Sequence, residues 1–184
     1  MSRLDPTGRL LRRAGTRLER TDGHRDTPRR SAMGDAQEQP TSSEQETFQE
    51  MLDEQIAPAL RELGLEGSGR EYELPSDAYW ALIGIQASRK RIIRKKLGFT
   101  VNLLVASRKL WAEKRASDPD WYPERPDPNV LRDKFWRPRI GALLPNGEDC
   151  WWEVSPDRLT APIAQEVVAA IREYGLPAMR ERMR

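Results

Sequence analysis

The chain has 184 residues, 38% apolar and 33% charged, which suits one polar globular domain with a tail. It has no apolar run of the roughly eighteen residues that a membrane span needs. The Arg-rich start, "RLLRRAGTRLER", lacks the hydrophobic stretch of a secretory signal, and the single cysteine, Cys150, has no internal disulfide partner; both point to the cytoplasm. The formal charge of +2 is unevenly spread: residues 1–32 hold nine Arg against four acids, and the remainder holds 22 basic against 25 acidic residues. The body is therefore slightly acidic and offers no broad basic footprint for duplex DNA. Arg outnumbers Lys by 25 to six, a bias associated with GC-rich bacterial genomes.

Residues 1–42 are poor in aromatic and apolar β-branched side chains and rich in Arg, Asp, Gly, Pro, Ser and Thr, so they are expected to be a disordered tail. Met33 opens "MGDAQEQP", which would also serve as a bacterial N-terminus. A single ordered domain is expected over 43–184. Ser43 and Glu46 have capping-box spacing, and Phe48, Leu52, Ile56, Leu60 and Leu63 recur every three or four residues. This predicts a helix over 44–63, kinked at Pro58 and closed by Gly64 in a left-handed conformation, with Leu65 folding back over the last turn.

Three strands follow: 69–74, 78–88 and 97–107. In the second, Tyr79, Ala81, Ile83 and Ile85 share a face; in the third, Phe99, Val101, Leu103 and Val105 do. Period-two alternation of this kind marks antiparallel strands with one wet or half-covered face. Between them lies "SRKRIIRKK", whose cations Arg89, Lys90, Arg91, Arg94, Lys95 and Lys96 would splay from the end of a hairpin. No aromatic side chain is interleaved with them as a stacking platform, so a solvated hairpin tip is the plainer reading than a grip on single-stranded nucleic acid or an acidic protein.

After Leu110 and Trp111, in a linker helix, periodicity stops. The segment at about 116–135 holds Pro119, Pro123, Pro126 and Pro128 and carries Trp121 beside Tyr122. Long aperiodic loops in compact domains are commonly functional, and aromatics on a stiff loop resemble binding anchors; the alternative is a cover folded over the sheet. "RIGALLPNGEDCWWEV" predicts a second hairpin turning at Asn146–Gly147, with a short helical turn at "RIGALL" as the alternative. A last helix is expected from Thr160 as N-cap, with Pro162 in its first turn, Ile163, Val167, Ile171 and Tyr174 as its stripe, and Gly175 as its end; Pro177 would begin a short final helix. The resulting class is α+β, an antiparallel sheet of four to five strands with the N- and C-terminal helices on one face.

Several chemistries lose their residues. His24 is the only histidine and falls in the tail, which removes histidine-based triads and most zinc sites. Cys150 without a histidine reads as an inert thiol in a strand. Asp149 and Glu153, four apart on the supposed strand, would share a face about 13 Å apart, too far for a coupled pair. No catalytic residue, metal ligand or cofactor site is assigned.

Taken together, "IAPALRELGL", "ALIGIQASR", "GFTVNLLV", "RPRIGALLPNGEDCWWEV" and "EYGLPAM" resemble the uncharacterised bacterial domain-of-unknown-function family numbered 4304, from about Phe48 to Met179. The resemblance implies a small α+β protein and transfers no mechanism. The expectation is a non-catalytic binding domain, itself of immunity or antitoxin type, whose partner is another protein, with the chain a monomer or weak dimer. The alternative is a nucleic-acid-associated factor using residues 89–96 and the basic tail. Trp121, Tyr122 and the six cations are the candidate binding residues.

Overall fold

The computed structural model describes residues 43–92, 96–130 and 135–184. The tail and Arg94 and Lys95 lie outside that range.

The N-terminal helix runs as α1 (Ser43–Met51), a π-helical turn (Leu52–Ile56) and α2 (Ala57–Glu62). It begins at Ser43 itself, the residue expected to cap it. Pro58 is the second residue of α2, and the wide turn stands directly before it: the Ala57 N–H reaches Leu52 O. A proline ring would crowd the carbonyl four residues back, and a widened turn relieves that crowding. Gly64, at φ 85°, closes the helix as expected: its N–H donates to Arg61 O and that of Leu65 to Leu60 O, the Schellman pattern, and Leu65 is buried.

The sheet has five antiparallel strands in sequence order: β1 (Glu66–Ser68), β2 (Glu71–Glu73), β3 (Tyr79–Ile92), β4 (Leu97–Ser107) and β5 (Trp152–Val154). The expected strand at 69–74 is thus the second arm of a tight hairpin. β3 and β4 pair from Tyr79↔Ser107 to Ala87↔Phe99, and a bulge then shifts the register to Ile92↔Leu97. β3 runs past its expected end at Ser88 and takes in Arg89, Lys90 and Arg91, so only the rest of the cationic stretch lies between the two strands.

The expected second hairpin does not form. Ile140–Leu143 is a single 3-10 turn sunk into the core by Ile140, and β5 pairs with β4 instead (Phe99↔Trp152, Leu97↔Val154). Gly147 does turn the chain, at φ 64°, but the turn feeds a loop. Farther along the same edge of β4, Leu103 N donates to Pro138 O and Val105 N to Trp136 O.

The C-terminal helix repeats the device of the first one. α4 (Ala161–Ala170) passes through a π-helical turn (Ile171–Gly175) into α5 (Leu176–Arg182), with Pro177 just beyond the wide turn. Gly175 therefore does not end the helix. Its φ is −65°, and a Cβ there would lie 3.2 Å from Ile140 Cδ1, so the position is small for packing. Thr160 sits at the N-cap, but its hydroxyl makes no cap; it accepts a 2.7 Å hydrogen bond from Gln55 Nε2 and ties the two helices together.

Both terminal helices cover one face of the sheet. Phe48, Leu52, Ile56 and Leu60 meet Ile83, Ile85, Phe99, Val101 and Leu103, with Val167, Ile171 and Met179 from the other helix. The opposite face is not wet. α3 (Arg108–Ser117) and the Pro-rich segment cover it, forming a second cluster of Leu82, Leu104, Ala106, Trp111 and Tyr122. β4 is consequently buried at every residue from Leu97 to Ala106.

Candidate binding surface

Residues 118–130 cross the second face of the sheet as a pinned cover. Asp118 starts it: its carbonyl accepts from Tyr122 N (3.0 Å) and its carboxylate from Trp121 N (3.1 Å). These bonds send the two aromatics in opposite directions. Tyr122 is 8% exposed and meets Trp111 edge-on, 5.1 Å between ring centres; Trp121 is 51% exposed. The sequence treats them as a pair, and the fold divides them into a wedge and a projecting indole.

Three further ties hold the cover down. Trp111 Nε1 donates to Pro123 O at 2.8 Å. Glu73 binds a guanidinium with each oxygen, Arg108 at 2.6 Å and Arg125 at 2.5 Å, and Arg108 lies 3.5 Å over the Trp80 ring. At Gly84 the cover descends onto β3, where a Cβ would meet Asn129 Oδ1 at 2.6 Å and Pro128 Cγ at 2.7 Å. Any larger residue at 84 would lift it.

Beyond that point the second face opens into a groove of about 580 Å³ lined by Gln86, Ser88, Asp127, Asn129 and Trp151, with Arg70 at its rim. Under it is Asn102, 2% exposed. Its amide nitrogen donates both hydrogens, to Gln86 Oε1 (2.9 Å) and Asn129 Oδ1 (3.0 Å). Asp127 Oδ1 accepts from Asn129 N, and Arg137 Nη1 donates to Pro128 O, so the wall is braced from both sides. Arg137 Nε is buried without an acceptor among the described residues. Burial pulls the pKa of that guanidinium down, Arg139 adds to the fall and Asp127 opposes it. On the opposite wall Thr100 donates to Cys150 O, and Trp151 stands between Asp149, which accepts from its indole N–H, and Arg139, 5.2 Å from its ring.

The remaining candidates are placed as follows. Side chains at 89–92 are not described, and Lys96 pairs with Glu153 at 3.0 Å. Asp149 lies outside β5 and is bound to Arg139, so it shares no strand with Glu153, contrary to expectation. Cys150 is half-buried and also outside the strand; burial pushes its thiol pKa up, and Glu166 and Asp149 add to that. His24 lies outside the described residues. Among the described residues no group of three or more His, Cys, Asp or Glu is arranged to hold a metal, and no helix is long and apolar enough to cross a membrane.

A family model described as Domain of unknown function (DUF4304) matches residues 56–181. The chain belongs to this family. No curated protein and no solved structure matches it.

In this DUF4304 domain the fragments that carry the sequence resemblance have a spatial meaning. Gln86 and Ser88 of "ALIGIQASR", Asn102 of "GFTVNLLV" and Arg139 of "RPRIGALLPNGEDCWWEV" come from three separate fragments, yet all fall in or beside the groove. Sequence reasoning passed over Gln86, Asn102 and Asn129. The available signal was Asn102 itself, an amide in the middle of the apolar strand "GFTVNLLV", where a buried polar group needs partners.

Proposed function

We propose that this DUF4304 domain is a non-catalytic protein-binding module of the bacterial cytoplasm, whose contact surface is the covered face of its sheet. One observation carries the reading: a segment clamped by Tyr122, Glu73 and Gly84 holds Trp121 half out in solvent. An indole carried on a backbone fixed before binding loses less entropy on docking, and such aromatic anchors dominate interface energies. The non-catalytic part is supported by Cys150, which is half-buried and has no histidine in residues 43–184 to activate it. An immunity or antitoxin role is the form of binding we favour, so a toxin encoded beside this chain is the first partner to test.

The test uses Trp121→Ala, which removes a side chain about half of whose surface faces solvent. With the partner identified by capture and then purified, the variant should bind at least tenfold more weakly, a loss of about 1.4 kcal/mol. Its melting temperature should stay within about 2 °C of the parent. Equal affinity of variant and parent would sink the reading. Retention of the parent on single-stranded DNA, with no protein captured, would shift it to the nucleic-acid alternative.

A further inference from the structure

The amide cluster under the groove has a direction. Asn102 has one NH2 group, and both of its hydrogens go to carbonyl oxygens, those of Gln86 and Asn129. Each of those side chains is held by its oxygen, so each turns its own NH2 away from Asn102. Both residues line the groove, and neither amide nitrogen has an acceptor among the described residues. A buried asparagine whose NH2 group is fully used thus orients two primary amides as donors toward one open space.

The charge around that space favours an anion. Arg70 stands at the rim, its guanidinium 5.1 Å from the Phe48 ring and without a carboxylate partner among the described residues. The one carboxylate of the lining, Asp127, is engaged with the Asn129 backbone and lies in the field of Arg137. Two amides with four hydrogens between them match a carboxylate, which only accepts and has about four lone-pair sites. Trp151 and Val130, also in the lining, give the groove apolar surface for the stem of an acidic side chain.

We propose that this groove binds an acidic segment of a protein partner, with the NH2 groups of Gln86 and Asn129 donating to a side-chain carboxylate and Arg70 closing over it. The proposal rests on the protein-binding reading above and specifies the chemistry of the partner.

The experiment titrates the full chain, ¹⁵N-labelled, with a capped Gly-Glu-Gly-Glu-Gly peptide, its Gln counterpart, and acetate. The acidic peptide should move the side-chain NH2 resonances of Gln86 and Asn129 and the indole resonance of Trp151; the Gln peptide and acetate at equal concentration should not. Gln86→Glu and Asn129→Asp keep an oxygen for Asn102 to donate to while removing the outward donor. They should stay folded, melt within about 2 °C of the parent and bind the acidic peptide at least tenfold more weakly. Four results would overturn the proposal: no shift with acidic peptide at millimolar concentration, equal shifts with the Gln peptide or acetate, unweakened binding by both variants, or loss of the folded spectrum in both. Trp121→Ala should leave this titration unchanged. If the titration succeeds while Trp121→Ala has no effect on partner affinity, only the anchor reading fails; the opposite pattern removes the groove alone.

Discussion

The two faces of the sheet are built from the same two strands and are covered in different ways. On the helix side, residues such as Ile83, Phe99, Val101 and Leu103 are fully buried under two long amphipathic helices. On the other side the apolar cluster is small, and much of the cover is held by polar ties: Glu73 to two arginines, Trp111 to Pro123, and Asn102 to two amides. Apolar burial is non-directional and grows with area, so the helix side supplies most of the stability. Polar ties add less net energy but specify position. The contrast assigns stability to one face and leaves the other to present a surface.

The sharpest way to break this contrast is to remove a large residue from the helix side. Phe99 is fully buried between Phe48 and Trp152, at 5.0 and 5.7 Å between ring centres. Phe99→Ala should cost about 3–5 kcal/mol in chemical denaturation. A loss below 1 kcal/mol would mean that the helix side is not the main core.

Tyr122→Ala acts on the opposite face and should cost about 2 kcal/mol, because its ring packs on Trp111 at the margin of a small cluster. Its distinctive consequence is local. Limited proteolysis should cut within 118–130 well before the rest of the domain opens, whereas Phe99→Ala should give no such selective site. Simultaneous digestion of the whole domain would show that the cover and the core unfold as one unit.

Glu73→Gln weakens two ion pairs at once. Those pairs are partly exposed, so about 1 kcal/mol is expected, with a loss of protection at Arg125 and its neighbours in hydrogen exchange. A change confined to the helices would contradict the clamp.

An effect of similar size concerns Tyr72, adjacent to Glu73 in β2 but facing the helices. Burial raises its phenol above the ordinary value of 10.0, Arg61 opposes the shift and Asp53 adds to it. A folded-state pKa above the unfolded one means that this group's contribution is complete below pH 10 and is lost as pH rises through the folded value. Denaturation midpoints should therefore fall above pH 10, and Tyr72→Phe should flatten that decline, after costing about 1 kcal/mol at neutral pH through the lost bond to Gly69 O. An identical alkaline decline in parent and variant would assign it to other groups.

Much of the frame could be read before any coordinates. The apolar stripes of the terminal helices, the Gly64–Leu65 closure and the alternating faces of β3 and β4 follow from neighbours a few residues apart. Local geometry alone makes them. The misreadings have a common origin. "RIGALL" and "WWEV" carry strand-like composition around a turn signal, but β4 had an unpaired edge and took "WEV" for itself. Gly175 has the residue type of a helix end, yet Ile140 approaches it from another element and requires only that it be small.

The sequence by itself determined the terminal helices and the long strands β3 and β4, which of their side chains share a face, and which chemistries lack their residues. The tertiary structure alone decided where the Pro-rich segment lies, that Tyr122 is buried while Trp121 projects, and that Asn102 orients Gln86 and Asn129. The physical reason is separation along the chain. Periodicity and capping act over three or four residues, whereas Asn102 meets Asn129 across 27 positions and Glu73 meets Arg125 across 52. Such partners are chosen by the packing of the whole sheet and leave no local pattern from which they could be read.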